Sequence, residues 1–261
     1  MPLIPELEHF EGFILDLDGV VYLRSAVVPG APRFVKELAE SGKKLVFLTN
    51  NSSKAREDYV AILSRFGINA TKKQVVTSAY ATSLFLLRRK PMAKVFVVGE
   101  AGLRDELSRA GFRVVGKPPA DFVVVGIDLH FTYDKLGLAA QMIRQGAKFV
   151  STNRDATYPT EEGPLPGAGS IVAAVQTASG RRPTDIGKPN RRIFDMCRMI
   201  LGTPAGNTAV IGDRIETDIL GGLRAGMGTI LVLSGVTTRG QMGPGRVRPD
   251  LVVDSVADLF T

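Results

Sequence analysis

The chain reads as an α/β protein with a parallel sheet, into which a second α/β domain is inserted. Short β-branched runs alternate with helix-period segments along its 261 residues, the pattern of strand–helix–strand units. These runs are apolar at nearly every position, as expected of strands covered on both faces. Polar breaks at Arg88-Arg89-Lys90-Pro91 and Gly180-Arg181-Arg182-Pro183 set off a stretch with strands and helices of its own. The outer domain is therefore expected to comprise residues 1–90 and 183–261, and the inserted domain residues 91–182.

Strands are predicted at 13–17, 44–48, 94–98, 122–125, 148–151, 208–211, 229–233 and 251–253. A helix over 32–40 ends near Gly42, and one over 53–66 ends at Gly67, a residue suited to a left-handed cap. Further helices are predicted over 102–110, 133–145, 169–178, 191–201 and 216–225. The Gly/Pro-rich stretches 153–169 and 240–249 read as loops.

Hydrophobic residues make up 44% and charged residues 23% of the chain, near the average for globular proteins and enough for a sizeable core. The net charge of +7 suits an anionic partner. The basic residues are scattered pairs and triplets without interleaved aromatics or a nucleic-acid-binding signature, so no nucleic acid is expected. A solvated basic surface that favours anionic substrates accounts for them. The single cysteine, Cys197, can form neither an internal disulfide nor a multi-cysteine zinc site and suits a reducing compartment. The N-terminal segment lacks a signal-peptide pattern, and no stretch approaches the ~20 apolar residues of a membrane span. A cytoplasmic location without membrane association is the expectation.

In parallel α/β sheets, ligands gather at the carboxyl ends of strands. Four polar groups fall at this edge: Asp16-Leu17-Asp18, Thr49-Asn50-Asn51-Ser52, Lys188 ahead of a helix, and Gly212-Asp213. A carboxylate on a buried strand end can attack phosphorus and form an acyl phosphate, splitting one displacement into two. Carboxylate and phosphate repel, so fixed positive charge is needed. A magnesium ion on oxygen ligands and Lys188 can supply it. The hydroxyl of Thr49 and the amides of Thr49 and Asn50 can hold phosphoryl oxygens. Asp18 can protonate the leaving oxygen and then deprotonate water. Gly19 lets the backbone turn out of the strand.

Other readings compete. Asp-x-Asp at a strand end is also an ordinary turn, and Thr49–Ser52 an ordinary loop before a helix cap. An EF-hand fails because Val20 and Val21 stand where a ligand and a glycine are needed. Ile186-Gly187-Lys188-Pro189 fails as a P-loop, since the glycine spacing is wrong and Pro189 replaces Ser/Thr. Gly167-Ala168-Gly169 lacks the third glycine of a dinucleotide fingerprint. His9 and His130 read as surface or packing residues, leaving little for a serine-hydrolase or zinc site.

With these residues in hand, the chain resembles the haloacid dehalogenase (HAD) superfamily, in its NagD-like and 4-nitrophenylphosphatase branch. The four motifs stand in order as Asp16-Leu17-Asp18-Gly19-Val20, Thr49-Asn50-Asn51-Ser52, Gly187-Lys188-Pro189 and Gly212-Asp213-Arg214-Ile215-Glu216-Thr217-Asp218. Thr77–Thr82, Phe131–Leu136 and Thr152–Gly163 also look like this branch, so the resemblance covers almost the whole chain. It implies a Rossmann-like core and a large inserted α/β cap. It implies Asp16 as nucleophile and metal ligand, and Asp18 as acid/base with its backbone carbonyl on the metal. Asp213 would complete the Mg2+ ligands, with Asp218 behind them or on metal-bound water. Thr49, Asn50 and Lys188 would bind phosphate.

Aspartate at position 18 favours a phosphatase, because ion pumps carry threonine there and haloalkanoate dehalogenases lack the acid/base. Mutases of the superfamily usually have a smaller helical cap, inserted earlier. The core motifs see only phosphate, so specificity is assigned to the cap loop, with Asn153, Arg154 and Asp155 as its candidates. Arg154 is read as meeting a carboxylate or second phosphate. The expected partner is a small phosphorylated metabolite: 4-nitrophenyl phosphate in vitro, and a sugar phosphate, phosphoglycolate or nucleotide in vivo. A homodimer through the cap is also implied by the resemblance. The alternatives are a phosphotransferase or phosphomutase using the same aspartyl-phosphate, and a non-catalytic basic binding protein on this fold.

Overall fold

The computed structural model describes residues 3–160, 162–241 and 247–260. Its chain divides into two compact units. One comprises Met1–Thr49, Tyr59–Val76 and Lys188–Thr261, the other Asn50–Asp58 and Thr77–Gly187.

In the first unit the apolar run Gly12–Asp16 is buried at every position and lies inside a sheet. The strand order is Leu251–Val253, Gly228–Val232, Thr208–Gly212, Gly12–Asp16, Lys44–Thr49, Val75–Thr77. The first five strands pair in parallel. Successive side chains on a strand point to opposite faces, and both faces are covered. Phe13, Leu15 and Phe47 join one apolar cluster with Phe34, Leu38, Tyr59 and Leu63. The helix Ala31–Glu40 reaches this cluster because Ala31, Phe34 and Leu38 recur at helical spacing and are all buried. Phe34 meets Phe13 edge-on, with ring centroids 6.3 Å apart. The helix Arg191–Leu201 begins where the Asn190 side chain accepts from the Arg192 N–H, and ends at Gly202 in the left-handed conformation. It buries Ile193, Phe194, Cys197 and Leu201.

The second unit repeats the design. Its sheet runs Thr184–Asp185, Lys148–Ser151, Phe122–Val125, Lys94–Val98, Arg113–Val115, and all its pairs are parallel. Phe96, Val98, Val123, Val125 and Phe149 pack with Met142, Val172 and Val175, which come from the helices Tyr133–Arg144 and Ala168–Ser179.

Each predicted strand has its counterpart, and the mixed α/β class with parallel sheets holds. The differences are local. The helix expected over 53–66 starts later, as Arg56–Arg65. The one expected over 216–225 opens as a π-helical turn, Ile215–Ile219, before Leu220–Ala225. The helix Ser78–Leu87 was not anticipated. It buries Ser78, Ala79, Ala81, Thr82, Ser83 and Leu86, so small polar residues stand where a polar stripe would mark a helix. It belongs to the second unit, which therefore begins ahead of the basic break at 88–91 and, at its other end, runs past 183 to Gly187.

Within 153–169 the structure has a hairpin in place of loop, with Thr157–Thr160 antiparallel to Gly163–Pro166 and Pro159 opposite Pro164. Proline cannot donate to a ladder and is confined to edge strands; a free two-stranded ribbon is all edge. Of the loop expected at 240–249, residues 242–246 lie outside the described residues.

Candidate active site

The first unit gathers Asp16, Asp18, Thr49, Lys188, Asp213 and Asp218. Asp16 ends its strand and Thr49 ends the neighbouring one, both buried. Asp213 follows directly on Thr208–Gly212, the strand on the other side of Gly12–Asp16. Asp218 lies on the π-helical turn, 1% exposed. Lys188 is 4% exposed, and its Nζ lies 2.8 Å from Asp16 Oδ1 and 2.7 Å from Asp218 Oδ1.

Each carboxylate is held differently. Asp16 Oδ1 also accepts the Leu17 N–H at 2.8 Å. Asp218 Oδ2 accepts the Arg214 N–H and the Thr217 hydroxyl, each at 3.2 Å, so both of its oxygens are engaged by the protein. Asp213 Oδ2 accepts the Val236 N–H at 2.7 Å, whereas Asp213 Oδ1 is buried without a hydrogen-bond donor. Three glycines make room for these groups. A Cβ at Gly19, whose φ is +84°, would lie 2.6 Å from Asp213 Oδ2, and one at Gly235 would lie 2.1 Å from it. A Cβ at Gly212 would lie 2.2 Å from that of Asp218. The segment Ser234-Gly235-Val236 is thus part of the site, and Ser234 also donates to the Gly19 carbonyl at 2.6 Å. It follows the strand Gly228–Val232 at the same edge as the other groups, so the strand-end argument, carried one strand further, reaches it.

Asp16, Asp213 and Asp218 bring carboxylate oxygens within 4.8 Å of one another. Burial raises the Asp16 carboxyl well above the ordinary carboxylate range. Lys188 pulls it down, and Asp218 and Asp213 add to the rise. Burial and Asp218 push Asp213 up to about 6. Burial works against the Lys188 charge, but Asp16 and Asp218 more than offset it and hold the ammonium above the ordinary lysine range. Three buried acids thus face one buried cation, a surplus of negative charge that a further cation would relieve. All the donors are hard oxygens, one of them buried without a donor, and this set fits a divalent metal ion of the magnesium or calcium kind.

Asn50 and the cap residues Asn153, Arg154 and Asp155 fall in the second unit. The Asn50 Nδ2 donates to both oxygens of Asp155, at 3.0 and 3.2 Å. Arg154 is bound within its own unit: it donates to Gln176 Oε1 at 2.9 Å and lies 3.7 Å from Asp185. These contacts orient a side chain that stays 44% exposed. Asn153 is buried and accepts from the Thr152 hydroxyl at 2.9 Å.

The site stands at the carboxyl edge of a parallel sheet, with a lysine shared between two carboxylates, and comparisons with known proteins identify the class as a hydrolase family. The family model described as haloacid dehalogenase-like hydrolase matches residues 13–113, and one described as HAD-hydrolase-like matches residues 185–259. The chain is 39% identical to the 5'-nucleotidase YutF of Bacillus subtilis over 97% of its own length and 98% of that protein's. It is 38% identical to the acid sugar phosphatase of Staphylococcus haemolyticus, over 89% of this chain and 88% of that one. Its structure superposes on the crystal structure of 4-nitrophenylphosphatase from Thermotoga maritima with a TM-score of 0.92 at 37% identity, covering 97% of each chain. The chain belongs to the haloacid dehalogenase-like hydrolases, in the branch of NagD and the 4-nitrophenylphosphatases. It is an enzyme of the phosphatase type. Among the described residues, no helix is long and apolar enough to cross a membrane.

Proposed function

We propose that this phosphatase is Mg2+-dependent and hydrolyses small soluble phosphate monoesters in the cytoplasm through an aspartyl-phosphate on Asp16. The observation that carries this reading is the Asp16 carboxylate, buried at a strand end with one oxygen fixed by Lys188 at 2.8 Å and by the Leu17 N–H at 2.8 Å. A nucleophile held in one orientation has already lost the freedom that a displacement would otherwise have to remove.

In the first step a carboxylate oxygen of Asp16 bonds to phosphorus as the ester P–O bond breaks, and Asp18 gives its proton to the leaving oxygen. In the second, Asp18 takes a proton from water. The water oxygen bonds to phosphorus, and the acyl-phosphate P–O bond breaks to free Asp16. Lys188 stays protonated throughout and offsets the phosphoryl charge, held in place by Asp218, whose oxygens are already engaged. Thr49 and Asn50 hold the transferring phosphoryl oxygens. Asp16, the Asp18 carbonyl and Asp213 would hold Mg2+, which when bound supplies positive charge against the repulsion between carboxylate and phosphate.

The second unit, as the cap, selects the leaving group and provides the homodimer surface. The relatives' names point to 4-nitrophenyl phosphate, sugar phosphates and nucleotides as first substrates to assay, with phosphoglycolate added. Release of one phosphate per ester consumed, dependent on Mg2+ and lost in Asp16→Asn protein, is the expected result. Near-normal turnover of Asp16→Asn would remove the covalent step. Transfer of phosphate to an acceptor other than water would make the enzyme a phosphotransferase.

A further inference from the structure

Within the second unit four separate segments are tied together around Asn50. Its side-chain amide donates to both oxygens of Asp155, a residue 105 positions along the chain. Its backbone carbonyl accepts the Ser78 hydroxyl at 2.5 Å. On the carboxamide oxygen's side, a Cβ at Gly187 would lie 2.5 Å from Asn50 Oδ1, so only glycine admits this approach. Gly187 is itself tied to the cap loop, its N–H donating to the Thr152 carbonyl at 2.7 Å. Gly167 and Gly169 fix the loop from behind. A Cβ at either would lie 2.5 Å or less from a carbonyl of Asp155 or Arg154, and the Gly169 N–H donates to the Asp155 carbonyl at 2.9 Å. Loop 152–155 therefore holds Asn50, which follows Thr49, and Gly187, which precedes Lys188.

We infer that Asp155 is a positioning residue: it fixes the orientation of the Asn50 carboxamide, the group assigned above to phosphate, and does not itself recognise the leaving group. The inference rests on the phosphatase reading above and changes the role of a residue otherwise assigned to specificity. Charge supports it. A carboxylate is a poor direct partner for a phosphate ester, since like charges repel. A carboxylate that accepts from an amide fixes which way the amide faces. The anion is then useful one bond removed from the substrate and costly in contact with it.

The test compares wild type with Asp155→Asn, Asp155→Ser, Asn50→Ala and the double variant Asn50→Ala/Asp155→Ser. Each is assayed on 4-nitrophenyl phosphate, a hexose phosphate and phosphoglycolate, with Tm measured alongside. Asp155→Ser is expected to lower kcat about 10- to 100-fold, the scale of a misplaced binding group. The factor should be the same for all three esters, because the phosphoryl group is common to them. The double variant should be no slower than Asn50→Ala alone. Asp155→Asn keeps one acceptor oxygen and should recover most of the rate, with a Tm like wild type.

A loss that differs among the esters, multiplicative losses in the double variant, or an unchanged kcat in Asp155→Ser would each overturn the assignment. If Asp155→Ser does not fold, an ester-dependent KM or kcat in Asp155→Asn overturns it, and equal factors uphold it. Failure of the phosphatase reading would show separately, as a wild type without Mg2+-dependent phosphate release.

Discussion

The two units are built alike, each a parallel sheet with helices packed on it, and they treat buried acid in opposite ways. Among the described residues of the second unit, each buried carboxylate has its own cation. Glu106, 2% exposed, takes Arg56 at 2.9 Å, and Asp128 takes Lys135 at 2.7 Å. In the first unit Asp16 and Asp218 share Lys188, and Asp213, in the same carboxylate cluster, keeps a buried oxygen without a donor. Burying a charge is costly unless it is paired. Paired acids therefore fit a structural role, whereas a surplus of acid marks a place where something else must bind. The difference lies in how the charges balance at each sheet, and the shared architecture does not reveal it.

That contrast can be broken by substitution. The largest effect should come from the proposed acid/base: Asp18→Asn is expected to slow steady-state turnover by roughly 10²–10⁴-fold, with the fold intact by circular dichroism. Next, Glu106→Ala should destabilise the protein by up to about 3–5 kcal/mol, because it leaves the Arg56 guanidinium, only 13% exposed, without its anion. Denaturant unfolding measures this. In the first unit the same kind of change should do the reverse. Asp213→Asn relieves the surplus charge and should raise the Tm of metal-free protein, each kcal/mol being worth roughly 2–4 °C in a chain of this length. Adding Mg2+ should then raise the Tm of wild type but hardly that of the variant. An Asp213→Asn protein less stable than wild type without metal would show that the cluster is structural.

The smallest effect is in the pH dependence. The Asp213 carboxyl is pushed up to about 6 in the fold and the Asp16 carboxyl is also raised, against about 4 in the unfolded chain. Between those values the folded protein binds more protons than the unfolded one. Stability of metal-free protein should therefore fall as pH rises from about 4 through 6. Saturating Mg2+ should flatten or invert this slope, since binding favours the ionised acids. Thermal melts with and without chelator read both.

The elements easiest to read in the sequence are those whose periodicity is strong and local. The strand Gly12–Asp16 and the helix Ala31–Glu40 carry their burial pattern within a few residues. Val75–Thr77 and Thr184–Asp185 are too short to hold a period. In Ser78–Leu87 the buried serines and threonines hide the amphipathic stripe. The hairpin Thr157–Thr160/Gly163–Pro166 is concealed by prolines that an isolated ribbon tolerates.

The sequence by itself determined the α/β class, the order of the four motifs, and the gathering of Asp16, Thr49 and Asp213 at one sheet edge. Each of these follows from local pattern together with the rule that parallel strands present their carboxyl ends on the same side. Tertiary structure alone decided the partners: Lys188 between Asp16 and Asp218, Arg154 on Gln176 and Asp185, and Asn50 on Asp155. Each is a hydrogen bond or ion pair between residues more than 20 positions apart. Such contacts depend on distances of about 3 Å, and no periodicity encodes those until the chain has folded.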